Sequence, residues 1–414
     1  MQLPDVSLPK AGTPHDELLA AMRDRKTSDA DWRAGKTWSL IYPAGSDVDA
    51  VLHDANNLYL FENALNPFRF PSLDTMEKEV VAMTARLLNA PSDASGSMTS
   101  GGTESILQAV RVARDRAKKE RGITSPTLVI PYSAHPAFAK AAKYFELELV
   151  HIPLGDDLRA DVAKAGALID DRTALVVGSA PNYPHGVVDD IPALAGLAAS
   201  RGAAFHTDSC VGGFLLPFME RAGYDVPPFD FRVDGVTTMS ADVHKYGFCT
   251  KGASVVLHRD GSHLLNYQAF LYQDWPGGMY GSLALAGARP AAPIAAAWAV
   301  MNFLGEDGYV RLCKQTIETA HRLRAGFEEL GFATIGDPVA SVMAFGAGPG
   351  GFDPMAVGDL MDDKGWHLDR QHGPDALHMM VSPEHQAVVD EFLTDLRASV
   401  ENAGTSRGIE ARYS

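Results

Sequence analysis

Gly235-Val-Thr-Thr-Met-Ser-Ala-Asp-Val-His-Lys-Tyr-Gly247 is the stretch from which the fold is read. Its first half, Gly235–Ser240, is a short β-rich run of the kind that forms a strand. Its second half turns polar at once, with Asp242, His244 and Lys245 crowded behind the strand end. Open α/β sheets bind their ligands outside such strand ends. A lysine amine placed there can form an imine with an aldehyde. A solvated surface lysine is the commoner outcome for such a residue, and this stretch alone leaves both open.

Similar runs lie on both sides of it, at Thr127–Pro131, Leu147–Leu154, Thr173–Ser179, Ala203–Asp208 and Ala253–His258. Most are almost continuously apolar, as strands buried on both faces are. Helical patterns separate several of them. Glu104–Lys119 sets Ile106, Val110, Ala113 and Ala117 on one stripe, and Pro136–Phe145 and Ile191–Ser200 are similar. The alternation predicts an α/β fold, a mainly parallel sheet flanked by helices. Beyond residue 300 the pattern changes to a helix (Tyr309–Leu330), an apolar run (Val339–Gly346), a helix (Pro354–Lys364), a short strand (Leu377–Val381) and a last helix (Glu384–Ala403). That reads as a smaller α+β C-terminal domain. Residues 1–55 are polar and punctuated by proline, with one helical pattern near Asp16–Arg25, and read as an arm that needs a partner surface. The expected division is an arm over 1–55, a large domain over 56–305 and a small domain over 306–414.

The bulk properties narrow the function. A chain of 414 residues is too long for one simple core. Its 52 acidic and 36 basic residues give a net charge of −16, a surface that repels nucleic acid and anionic membranes. Cys210, Cys249 and Cys313 are scattered, without the spacing of metal ligands or a paired disulfide framework, so neither a metal nor a disulfide is expected. The N-terminus lacks the apolar stretch of a signal peptide. The longest apolar candidate, Ser282–Leu304, is interrupted by Arg289, Pro290 and Pro293. A cytoplasmic protein without an integral membrane segment is the expectation.

Three more clusters carry chemistry. Thr99-Ser100-Gly101-Gly102-Thr103-Glu104-Ser105 opens the Glu104 helix. Its glycines allow close backbone approach, the helix start offers free N–H groups, and Ser100 and Thr103 add hydroxyls. It reads as a phosphate cradle or as a glycine turn capped by Thr103. His206-Thr207-Asp208 ends a strand, where a carboxylate can pair with a ring nitrogen or cap a turn. Ser133-Ala134-His135 follows another strand and offers an imidazole, for stacking on a planar cofactor or for structure. Lys251 lies six residues beyond Lys245. No cluster decides alone. Their chain order, a glycine cradle, a histidine, a strand-end aspartate and then a lysine, is that of pyridoxal-phosphate (PLP) enzymes of the aspartate-aminotransferase fold, fold type I.

With these residues in view the chain resembles the sphingosine-1-phosphate lyases, within the PLP-dependent group II decarboxylase family. The stretches that carry the resemblance are Thr99–Leu107, Ser133–Phe145, Gly178–Ile191, His206–Gly223, Pro228–Gly252 and Asp274–Pro290, with FDFRVDGVTTMSADVHKYGFCTKG the most specific. It implies pyridoxal 5'-phosphate as cofactor, carried by Lys245. It also implies Asp208 on the ring nitrogen, His135 stacked on the ring, and Gly101, Gly102 and Thr103 on the phosphate, with Ser240 and His244 nearby. Asn182 falls in a segment that reaches the cofactor in this family. Gly281 and Ser282 match a loop that reaches the neighbouring subunit's cofactor phosphate, which implies a homodimer with shared sites. Tyr42 and Lys251 match positions that face the substrate, and Lys245, Lys251, His244 and Tyr42 are the candidates for proton transfer.

The implied reaction is retro-aldol cleavage of a phosphorylated long-chain base, a small lipid substrate, to a long-chain aldehyde and phosphoethanolamine. In one place the chain departs from the family. The lyases carry a histidine in a segment reading N-P-L-H-P-D-x-F-P. Here Asn63–Pro71 reads NALNPFRFP, so Asn66 stands at that position. An amide donates a hydrogen bond but carries no charge. Three other readings share the cofactor residues: an amino-acid decarboxylase, a lyase for another β-hydroxy amine, and a non-enzymatic PLP-binding protein.

Overall fold

The computed structural model describes residues 3–409 and 411. Its central sheet has seven strands: β1 (Ser95–Thr99), β2 (Thr127–Pro131), β3 (Glu148–Ile152), β4 (Thr173–Ser179), β5 (Ala204–Asp208), β6 (Thr238–Ala241) and β7 (Ser254–His258). Their spatial order is β1-β7-β6-β5-β4-β2-β3. The run β6-β5-β4-β2-β3 is parallel, and β7 is antiparallel to both its neighbours.

All six expected strands are present, and β6 begins later than expected, at Thr238. Gly235, with φ 90°, makes the turn before it, where a side chain would meet the Ala195 carbonyl. Strand β1 was not among the expected strands. Ser-Gly-Ser-Met-Thr lacks an apolar run, and its pairing with β7, Ser95 opposite His258 through Thr99 opposite Ser254, places it in the sheet.

Eight helices precede or surround these strands: α1 (His15–Lys26), α2 (Ser46–Leu58), α3 (Pro71–Leu87), α4 (Gly102–Arg121), α5 (Ala137–Phe145), α6 (Val162–Leu168), α7 (Ile191–Ser200) and α8 (Leu216–Arg221). The strands alternate side chains between two cores. Leu128, Ile130, Leu175 and Val177 face Val110 and Phe138 of α4 and α5. Val129, Val176, Phe205 and Met239 join the larger core with Leu194 of α7 and Ile294. Asp190 caps α7 by accepting from the Ala193 N–H. By contrast, α1 buries no residue within the described chain.

The hairpin β8 (Phe270–Tyr272) and β9 (Tyr280–Ser282) leads to α9 (Ala292–Glu329), which bends at Gly305 (φ 54°, ψ −175°). Pro293 lies in the first turn of α9, where its missing N–H breaks no bond, so this helix starts well before the expected Tyr309. The second half of α9 enters the small domain. There β10 (Ala333–Thr334), β11 (Val342–Gly346), β12 (Asp369–Gln371) and β13 (Ala376–Met380) form an antiparallel sheet in the order β10-β11-β13-β12. Two more helices, α10 (Pro354–Asp363) and α11 (Val389–Glu401), complete it. Phe327 and Phe345 stack at 3.9 Å in its core, beside Trp366 and Phe392.

Trp38 ties the N-terminal segment into that core. It is fully buried, stacks on His385 at 4.0 Å, and accepts a backbone bond from Met380. The residues that follow, Leu40 to Tyr42, are thereby delivered to the carboxyl ends of the large sheet. Among the described residues no helix is long and apolar enough to cross a membrane, and no group of side chains is arranged to hold a metal ion.

Candidate active site

A cavity of about 490 Å³ opens at the carboxyl ends of the parallel strands. Asp208 comes from the end of β5, and Asp242, His244 and Lys245 follow β6. His135 follows β2, Tyr183 follows β4, and Ser100 to Glu104 join β1 to α4. Lys251, Leu40, Ile41, Tyr42, Ile106, Cys210 and Met380 complete the wall. Thus the structure brings together Tyr42, Gly101, Gly102, Thr103, His135, Asp208, His244, Lys245 and Lys251, which lie far apart in sequence.

Gly101 (φ 155°) and Gly102 start α4, and their N–H-rich turn lies against the polar wall. A Cβ on Gly102 would come within 2.8 Å of both Asp242 Oδ2 and Cys210 Sγ, and one on Gly101 would come within 3.3 Å of His244. Only glycine fits this approach. The first N–H groups of a helix have no partner within it, so Gly102 and Thr103 offer donors to an anion. Ser100 behaves differently from its reading as a cradle hydroxyl. Its N–H and Oγ both donate to the buried carboxylate of Glu104, at 2.8 and 2.6 Å.

Lys245 lies 3.0 Å from Asp242, whose side chain is 1% exposed. Burial alone would push the Asp242 carboxyl up, but Lys245, then His244, outweigh it and hold it below its ordinary value. His244 Nε2 is 3.6 Å from the same carboxylate, while its Nδ1 accepts the Ala253 N–H at 3.2 Å. Burial drives His244 down to about 4. Lys251 donates to the His244 carbonyl at 3.0 Å and sits 4.6 Å over the Tyr42 ring. Burial, reinforced by the charge on Lys245, lowers Lys251 to about 8. His135 is also lowered, by burial first, with Asp208 opposing and Lys245 adding to the effect. Its Nδ1 accepts the Ala137 N–H at 3.1 Å, which fixes the ring.

Other expected residues stand outside this wall. Ser240 is fully buried behind Asp208 and donates to its Oδ1 at 3.2 Å. Asn182 is buried in the loop after β4, where its amide donates to Ser133 Oγ and its oxygen accepts the His185 N–H. Asn66 is exposed and accepts the Phe68 and Arg69 N–H groups, closing its own turn. Gly281 and Ser282 lie in β9, where Ser282 Oγ donates to the Ala284 and Ala286 carbonyls.

Some contacts of the wall escaped the sequence reading, as did Tyr183 itself. Tyr183 donates to Asp369 of β12 at 2.8 Å, so a small-domain carboxylate anchors the cavity wall. Tyr42 donates to Met380 Sδ at 3.3 Å across the same domain boundary. Asp242 stands three residues before Lys245, and that spacing within one turn is the signal for their pairing.

These features suit a flat, anionic aldehyde cofactor. A helix start could take the phosphate, a lysine the aldehyde, and a strand-end carboxylate the ring. The buried Asp242 carboxylate faces the Lys245 amine at 3.0 Å, and that charge, with hydrogen bonds from Ser254 and Lys245, offsets the cost of its burial.

Comparison with known proteins gives the same picture. The pyridoxal-dependent decarboxylase conserved domain matches residues 1–345. The sphingosine-1-phosphate lyase of Arabidopsis thaliana is 42% identical over 401 residues, covering 95% of this chain and 73% of that protein. Sphingosine-1-phosphate lyase 1 of Rattus norvegicus is 41% identical over 398 residues, covering 95% and 69%. The solved structure of a sphingosine-1-phosphate lyase from Burkholderia pseudomallei superposes with a TM-score of 0.92 at 38% identity, over 96% of this chain and 93% of that one.

Proposed function

The chain belongs to the pyridoxal-dependent decarboxylase family, among its sphingosine-1-phosphate lyases, and from that premise we propose that it cleaves a phosphorylated long-chain base to a long-chain aldehyde and phosphoethanolamine. The observation that carries this reading is Lys251, a second lysine on the cavity wall, lowered to about 8. Breaking the bond between an amine-bearing and a hydroxyl-bearing carbon requires a base for the hydroxyl proton. Loss of carbon dioxide from an amino acid does not.

Pyridoxal phosphate, when bound, supplies an aldehyde for the substrate amine and a ring that takes up the electron pair of the broken bond. The backbone N–H groups of Gly102 and Thr103 would bind its phosphate, with Gly101 giving room and His244 alongside. Lys245 would hold the aldehyde carbon, Asp208 would pair with the ring nitrogen, and His135 would cover the ring. Lys251 accepts the substrate hydroxyl proton, since half of its amine is neutral near pH 8 and the proton-transfer driving force is then favourable. The Tyr42 ring supports the Lys251 ammonium that results.

The functional unit is a homodimer in the cytoplasm. Leu60, Phe61 and Phe68 are exposed around Asn66, and Leu265, Leu271, Trp275 and Met279 are exposed around the β8–β9 hairpin. Such apolar surface calls for a protein partner. A second copy seated there accounts for Asn66, Gly281 and Ser282, which stand outside their own chain's cavity.

The test is product analysis with a phosphorylated and an unphosphorylated long-chain base and with amino acids. Long-chain aldehyde from the phosphorylated base supports the reading. Aldehyde from the unphosphorylated base alone would move the substrate to another β-hydroxy amine, in keeping with the uncharged Asn66. Carbon dioxide without aldehyde would make the protein a decarboxylase.

A further inference from the structure

Behind Asp208 lies a chain of polar side chains that the proposed reaction does not use. His206 comes from β5 and Thr238 and Ser240 from β6, and in the parallel pairing of these strands His206 is opposite Thr238. His206 and Ser240 are fully buried and Thr238 is 4% exposed. His206 Nδ1 is 2.9 Å from Thr238 Oγ1, and its Nε2 is 3.1 Å from Ser240 Oγ. Ser240 Oγ in turn donates to Asp208 Oδ1 at 3.2 Å. The same oxygen accepts the Cys210 N–H at 3.1 Å.

The protons of this chain can be assigned. An ionised carboxylate only accepts, so the single Ser240 proton points at Asp208. Ser240 Oγ must then accept from His206, which puts the imidazole proton on Nε2. A neutral ring leaves Nδ1 bare, and there the Thr238 hydroxyl donates. Every bond in the series Thr238, His206, Ser240, Asp208 therefore runs toward the carboxylate, and bonds aligned in this way polarise one another in a medium of low dielectric constant. Burial lowers His206 to about 4, so the ring stays neutral over the physiological range. Phe138 closes the site with its ring edge-on to the imidazole, 5.8 Å away.

We propose that His206 is a positioning residue that acts through Ser240 to orient the Asp208 carboxylate, with one oxygen fixed in the network and the other presented to the cofactor ring. The proposal rests on the reading of Asp208 as the partner of the ring nitrogen. Buried hydroxyl and imidazole groups could have been replaced by apolar ones of similar shape at little cost to folding. Their alignment on one carboxylate oxygen gives them a task at the cavity.

The experiment measures the pyridoxal phosphate dissociation constant and the visible absorbance maximum of the bound cofactor. The proteins are the wild type and the variants His206→Phe, His206→Gln, Ser240→Ala, His206→Phe/Ser240→Ala and Asp208→Asn. His206→Phe and Ser240→Ala should each raise the dissociation constant roughly tenfold, the scale of one hydrogen bond to a charged group, and shift the absorbance maximum the same way. The double variant should be no worse than the poorer single one, because both break one chain. His206→Gln, which keeps an N–H near the Nε2 position, should recover most of the loss. Effects that multiply in the double variant, or a His206→Phe protein with wild-type affinity and spectrum while Asp208→Asn is impaired, would overturn the proposal. An Asp208→Asn protein with unchanged affinity and spectrum would instead overturn the underlying reading of Asp208. Should His206→Phe fail to fold, Ser240→Ala and His206→Gln decide: wild-type values in Ser240→Ala, or a Gln variant as weak as Asp208→Asn, contradict the relay.

Discussion

At the ends of β5 and β6, His206, Ser240 and Asp208 satisfy one another within the chain, whereas the segments around Asn66 and the β8–β9 hairpin hold large apolar side chains out to water. Phe61 is 93% exposed and Phe68 86%, while Phe205, one residue before the relay histidine, is fully buried. The first region is complete in a single chain, because strand alternation and helix cover bury it as the sheet forms. On the proposed reading a second copy of the chain finishes the other. The cofactor wall would then depend on local folding, and the contacts proposed for Asn66, Gly281 and Ser282 on assembly.

The largest expected effect lies in the self-contained region. Lys245→Ala should remove the visible band of the bound cofactor and lower turnover by about a thousandfold or more, measured by absorbance and aldehyde release. Next comes Lys251→Met, which should keep the band and lower turnover by about a hundredfold or more. The pH profile sharpens this prediction. A base must be neutral to act, so kcat/KM should rise with pH through about 8 as Lys251 loses its proton, and the Met variant should lack that rise.

In the second region, Leu271→Asp, on the exposed hairpin, should shift the protein from dimer to monomer in sedimentation velocity, with its unfolding temperature close to wild type. A variant that unfolds instead, or stays dimeric, breaks the comparison. The smallest effect is expected of Asn66→His. An added cation near the substrate phosphate should lower KM for a phosphorylated base by roughly threefold and leave the unphosphorylated base unchanged.

Much of the wall was legible because strand ends are legible. Asp208 and Lys245 each follow an apolar run, and Gly101 and Gly102 precede a strong helical stripe. What distance in sequence hides was not legible. Tyr183 reaches the wall through Asp369, and Tyr42 through Met380, contacts that exist only once the small domain has folded. The resemblance placed Ser240 near the cofactor, but the alternation that turns its hydroxyl beneath Asp208 needed the β6 register. Glu104 could be read as a first-turn residue, yet its capture of the Leu285 N–H is a tertiary event. The helices α2 and α3 were missed because much of their surface is polar and their apolar residues are buried only against distant elements, α9 for both and also β1 and β7 for α3.

The central claim is that Lys245 carries the cofactor in a wall built by one chain. Borohydride reduction of the holoenzyme, followed by digestion and mass spectrometry, tests it directly, because reduction locks the cofactor onto the lysine that holds it. The account predicts the pyridoxyl mass on the peptide containing Lys245. The same mass on Lys251, or on no lysine of a cofactor-saturated protein, would contradict it.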